Sequence, residues 1–201
     1  IKIGKLNKII ITGLSINNNT LGTPGTWMPN TQPNVSVGIL AQLNEDLNIN
    51  WLTYLPDDTS FCTFEVDDNN NIFGSYNTSV STNITTLNTF QPNFISEYDI
   101  NNNLISNGFV FKLNNQGQLQ WATYNGLLGT GDIVLNNNEL IVNAIRSDIL
   151  PQYNSLYCTQ PNCEMQNTTQ VISKFDCVTG QRTFSKYMPE NEFAAAQMTT
   201  D

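Results

Sequence analysis

Three adjacent acidic pairs, Glu45-Asp46, Asp57-Asp58 and Asp67-Asp68, are the residues best placed by type to do chemistry. Two carboxylates flanking a glycosidic bond suffice for acid–base or nucleophilic cleavage, so a glycan-active enzyme is the reaction class they point to. The sequence contains no His, which removes the usual general base of serine and cysteine triads and the usual ligand of catalytic zinc. Asp57-Asp58 follows a strand rich in aromatics, whereas Asp67-Asp68 falls at the far end of the next strand. That spacing does not make the pairs converge, and solvated acidic turns are the competing interpretation. The expectation is no catalytic residue, with carboxylate chemistry as the alternative.

"DDNNN" (67–71) and "DINNN" (99–103) place Asp, Asn and Asn at alternate positions, as a calcium loop begins. Ile72 and Leu104 stand where such a loop needs Gly, and the closing Glu is missing. Calcium is the one cofactor to be weighed, against plain Asn turns; no metal ligand set is assigned. Four cysteines are present. Cys158 and Cys163 lie close together in "YCTQPNC", with Cys177 further on and Cys62 remote. A local Cys158–Cys163 disulfide, implying an oxidising compartment, stands against free thiols.

Seventeen acidic and eight basic residues give a net charge of −9. Each neutralised phosphate needs a positioned cation, so nucleic acid and anionic membrane are poor partners. No apolar run approaches the roughly 20 residues needed to span a bilayer. The surface is carried instead by amides, in runs such as Asn17–Asn19, Asn69–Asn71, Asn101–Asn103 and Asn136–Asn138. Asn tolerates left-handed backbone and caps its own turn, so these runs mark tight turns between strands.

The elements that must position any site repeat along the chain. "ILAQLNEDLNINWLTYLPD" (39–57), "FVFKLNNQGQLQWATYNGL" (109–127) and "VISKFDCVTGQRTFSKYMP" (171–189) share one pattern. An alternating strand ends at Leu43, Leu113 or Phe175; a polar turn follows; a second strand carries Trp51, Trp121 or Phe184 and then Tyr54, Tyr124 or Tyr187. Further strand pairs flank these hairpins in "FEVDDNNNIFGSY" (64–76) and "DIVLNNNELIVNAI" (132–145), and "IKIGKLNKIIITG" opens the chain the same way. Four antiparallel strands per repeat with no helical period predict an all-β fold of β-propeller blades. About three blades are expected, in units near 1–57, 61–127 and 130–189, with a trailing strand over 192–201. The recurring aromatics are then core residues between blades.

At these residues the chain resembles the SBBP-type β-propeller repeats of secreted bacterial proteins, many from the Bacteroidetes. "TPGTWMP" (23–29) and "TLNTFQP" (86–92) match that family's lead-in, Lys112-Leu113 and Lys174-Phe175 its first strand, "LQWATY" (119–124) its aromatic strand, and Ile11-Thr12-Gly13 a strand ending. The third repeat departs: Phe184 replaces Trp, "DCVTG" carries an extra residue, and the lead-in near "ILPQYN" is barely recognisable. The resemblance implies an extracellular or cell-surface location, with export commonly by type IX secretion.

Three blades are too few to close a ring, which usually has about four to eight. The expectation is therefore part of a larger ring, completed by further blades or by a second copy. Long insertions at 15–36, 77–107 and 147–170 carry Trp27, Phe90, Phe94, Tyr98, Tyr153 and Tyr157 among Ser, Thr and Asn. Aromatics among amides and hydroxyls suit a sugar or protein partner, and Trp27, Phe90, Tyr98, Tyr153 and Tyr157 are the candidate binding residues. The alternative is that each pins its own loop onto the blade. The function so read is a non-catalytic binding or scaffolding module.

Overall fold

A computed structural model of the chain describes residues 1–16, 20–31, 36–56, 62–99, 101–127, 129–145, 159 and 170–188. Among these residues twelve strands form three antiparallel sheets, each of four strands in sequence order. The first holds β1 (Lys2–Ile3), β2 (Ile9–Ile16), β3 (Ser36–Leu43) and β4 (Ile49–Tyr54). The second holds β5 (Thr63–Val66), β6 (Ile72–Thr78), β7 (Asn107–Leu113) and β8 (Leu119–Tyr124). The third holds β9 (Gly129–Asn136), β10 (Glu139–Ile145), β11 (Gln170–Asp176) and β12 (Arg182–Tyr187). No α-helix occurs among the described residues, and a single 3₁₀ turn spans Lys5–Asn7. None of their helices is long and apolar enough to cross a membrane.

The sheets repeat in register as well as in order. Ile3 stands opposite Ile9, Val66 opposite Ile72 and Leu135 opposite Leu140. Gln42 pairs with Trp51, Lys112 with Trp121 and Lys174 with Phe184, and in each sheet the register slips immediately after that pair. An extra residue at the slip bends the outer hairpin and re-aims its side chains. Tyr54, Tyr124 and Tyr187, three residues beyond the aromatic, face the opposite side of the pleat.

Turn chemistry explains the amide-rich composition. Asp67, Asp99 and Asn114 each accept the backbone N–H groups two and four residues on at 2.8–3.0 Å; Asn44 accepts that of Asn48, and Asp176 those of Val178 and Thr179. Left-handed backbone follows at Leu47, Asn70, Asn102, Gly117 and Gly180. Asp and Asn satisfy such turns from their own side chains, and Gly or Asn takes the positive φ.

Two core clusters lie between the sheets, and a third, of Val37, Ala41, Leu52 and Tyr54 with Met28, lies on the first sheet's other face. Ile10, Leu40 and Trp51 of the first sheet pack with Phe64, Ile72, Tyr76, Phe109, Phe111 and Leu113 of the second. Phe73, Val110 and Trp121 on the second sheet's other face pack with Ile133, Leu140, Val142 and Phe175 of the third. Each such side chain contributes about 1.5–3 kcal/mol on burial. β1 neighbours β5, and β5 neighbours β9, so the first strands of the sheets come together along one side.

Candidate binding surface

Both junctions between sheets are built around a Trp seated on a glycine. The Trp51 indole N–H donates to the Asn115 carbonyl at 2.9 Å, and that of Trp121 to the Cys177 carbonyl at 3.1 Å. A Cβ on Gly117 would lie 2.8 Å from the Trp51 ring, and one on Gly180 the same distance from Trp121. The glycines therefore serve twice, adopting positive φ and leaving room for the indole. Lys112 adds a second donor to Cys177, 3.0 Å from its carbonyl, and lies over the Phe73 ring. Ion pairs Lys2–Glu65 and Lys5–Asp68, at 2.7 and 3.1 Å, tie the first sheet to the second.

The described parts of the long insertions run along the outer edge strands. Thr23, Thr86 and Thr159 donate backbone N–H groups to the carbonyls of Leu52, Ala122 and Ser185. The Thr53 and Thr123 hydroxyls accept from the N–H groups of Met28 and Gln91, each at 2.8 Å. An exposed edge would be a template for unwanted pairing, and these segments occupy it.

Two of the candidate binding aromatics are spent in this way. Trp27 is partly buried, stacks on Phe109 with ring centroids 6.2 Å apart, and donates its backbone N–H to the Gly117 carbonyl. Phe90 meets Phe175 edge-on, lies under the Arg182 guanidinium, and donates its N–H to Gly180. Phe94 likewise packs edge-on against Tyr124. Tyr98 differs, being 57% exposed. It pairs across a small hairpin with Leu104, which is 38% exposed. Glu97 accepts the Ile105 N–H at 2.8 Å, and Asp99 caps the tip. Tyr153, Tyr157, Cys158, Cys163, Asp57, Asp58 and the expected strand over 192–201 lie outside the described residues.

A shallow cleft of about 340 Å³ opens beside Trp51, lined by Lys8, Thr23, Gln42, Asn50, Gln116 and Gln118 among others. At the second junction Gln181 donates to the Asn88 carbonyl at 2.7 Å, joining turn to lead-in. At the first, the corresponding Gln118 accepts from Asn114 of its own turn. Side-chain amides with both donors and acceptors can match the hydroxyls of a neutral polar ligand. Sequence reasoning missed this cleft because its walls come from segments far apart in the chain.

Two of the carboxylates serve their own turns. Asp67 and Asp99 use both carboxylate oxygens inside their Asn turns, the second oxygen accepting from the Asn71 or Asn103 amide. That amide holds Asp99 below the usual carboxylate range, the backbone donors adding to it. Glu45 accepts from the Asn7 amide at 3.1 Å. Burial pushes the thiols of Cys62 and Cys177 up to about 11, and the Tyr124 hydroxyl, which donates to the Val80 carbonyl, up to about 12. Among the described residues no group of three or more His, Cys, Asp or Glu is placed to hold a metal ion. No family model and no curated protein matches the chain.

Proposed function

We propose that this chain forms blades of an SBBP-like β-propeller and works as a non-catalytic binding or scaffolding module outside the cell, with a protein or glycan partner. The observation that carries this reading is the antiparallel pairing of Tyr98 with Leu104. It holds Tyr98 and Leu104 exposed while closing its own turn with five hydrogen bonds from Asn101, Asn102, Asn103 and the Asp99 and Ile105 N–H groups. An exposed aromatic held by such hydrogen bonds loses less entropy on contact than one on an unpaired segment, which suits a recognition element. Its surroundings are amides and hydroxyls, and the net charge of −9 favours a neutral or basic partner. The repeated sheets supply the scaffold, and four-stranded antiparallel blades stacked face to face suit a ring.

The test is binding of the purified chain to arrays of neutral oligosaccharides and of extracellular proteins, with Tyr98→Ser beside the parent. The expected result is a specific ligand whose affinity falls about tenfold or more in the variant, as for an aromatic contact residue, with the melting temperature unchanged. Sugar release by the parent, lost on Asp67→Asn or Glu45→Gln, would replace this reading with that of a glycan-active enzyme.

A further inference from the structure

The two junctions between sheets are built from equivalent parts, and one is bridged where the other is open. Gln42 stands opposite Trp51 as Lys112 stands opposite Trp121. Gly25 and Asn88 each lie two residues after a Thr whose backbone N–H meets the edge strand, and both have left-handed backbone, with φ of 90° and 62°. Gln118 and Gln181 each follow the glycine on which the indole sits. At the second junction Lys112 donates to the Cys177 carbonyl at 3.0 Å and Gln181 to the Asn88 carbonyl at 2.7 Å. At the first, the shorter Gln42 comes only to 3.5 Å from the Asn115 carbonyl, and Gln118 takes a bond from Asn114 of its own turn. Turn and lead-in are left apart there, and the cleft of about 340 Å³ beside Trp51 is the space between them.

The walls of that cleft suit one kind of ligand. Pro24, Gly25, Asn50, Asn115, Gln116 and Gln118 are all exposed along it, so a small molecule can enter from solvent. Among the described residues nothing engages the Gly25 carbonyl, the Asn115 and Gln116 side-chain amides or the Lys8 ammonium. An amide both donates and accepts, the carbonyl accepts and the ammonium donates. A hydroxyl also does both, so a ring carrying several hydroxyls can satisfy this set together, whereas an apolar ligand would leave it unpaired. Pro24 and Trp51 add apolar surface for the C–H groups of such a ring. The volume stands at the small end of the about 300–1,000 Å³ usual for ligand pockets, which suits a single ring. No carboxylate stands among the described walls, and Lys8 is their one cation, on a chain whose net charge of −9 repels anions. A neutral sugar is therefore favoured over an acidic one.

We infer that the cleft beside Trp51 binds a single neutral hexopyranose unit, held through its hydroxyls by Lys8, the Asn115 and Gln116 amides and the Gly25 carbonyl. The site goes beyond the function proposed above, since Tyr98 is not among its walls. The second junction is its internal counterpart, the same frame with Lys112 and Gln181 drawn across it.

The experiment is titration of the 201-residue chain with the methyl pyranosides of glucose, galactose and mannose, and with glucuronate, followed by calorimetry and Trp fluorescence. Gln42→Lys, Gln116→Ala and Tyr98→Ser are titrated beside the parent. The expected result is saturable binding of at least one pyranoside. Gln42→Lys gives the first junction the cation that crosses the second, and should weaken binding about tenfold or more by filling the cleft, with the melting temperature kept. Gln116→Ala removes an exposed amide that its own turn does not use, and should weaken binding about twofold to tenfold, as for one neutral hydrogen bond. Tyr98→Ser should leave the affinity unchanged. Absence of saturation by every pyranoside, or an affinity indifferent to both cleft variants, would overturn the inference. Tighter binding of glucuronate than of the glucoside would overturn it too, by making Lys8 the centre of an anion site. Loss of binding in Tyr98→Ser with none in Gln42→Lys would assign the sugar to the Tyr98 surface and remove it from the cleft.

Discussion

Trp51 and Gly117 meet across the first junction, the indole lying where a Cβ on the glycine would come within 2.8 Å of its ring. Trp121 and Gly180 repeat the arrangement at the second. One pairing thus fixes the spacing of all three sheets, and its energetics can be separated from simple backbone strain.

Gly180→Ala should destabilise the fold by the cost of an alanine at positive φ, about 1–2 kcal/mol, plus about 1–3 kcal/mol for crowding Trp121. Gly25 provides the control, with φ 90° and nothing within 4 Å of the added carbon. Gly25→Ala should show the backbone cost alone. Urea denaturation of the two variants measures the difference directly.

Acid should loosen the Asn turns before the sheets part. Asp99 is held below its ordinary value of 3.8 chiefly by the Asn103 amide, and Asp176 below the same value chiefly by the Thr179 hydroxyl. A depressed folded pKa means that the stabilisation is fully present above the ordinary value and is lost as pH falls through the lower folded one. Asp176→Asn keeps an acceptor but does not titrate, so its stability should change less between pH 5 and pH 2 than that of the parent. Thermal melts across that range, marked about every half unit, test it.

Cys62 and Cys177 should resist alkylation in the native protein. Burial raises both thiols to about 11, leaving almost no thiolate near neutrality. Iodoacetamide at pH 7.5, followed by peptide mass analysis, should label these two only after denaturant is added. Rapid native labelling of Cys177 would show that the second junction is open in solution.

The strands and turns were legible in the sequence because each obeys a local rule. Alternation marks β3, β7 and β11, and Asp or Asn followed by left-handed backbone marks their ends. The seating of Trp51 on Gly117 and of Trp121 on Gly180 was legible only as a recurring aromatic. Its partners, the Asn115 and Cys177 carbonyls, lie more than fifty residues away in sequence and carry no side-chain signal. For the same reason the composition of the insertions did not separate Trp27 and Phe90, which enter the junctions, from Tyr98, which stays exposed.

The most direct test of the account is a double-mutant cycle between Trp51 and Gly117. Unfolding free energies of the parent, Trp51→Leu, Gly117→Ala and the double variant give their coupling. The account predicts about 0.5–3 kcal/mol, with Gly117→Ala markedly cheaper once the indole is gone. An equal cost for Gly117→Ala with and without Trp51 would mean that the two residues do not meet, and the junction that organises the three sheets would be wrong.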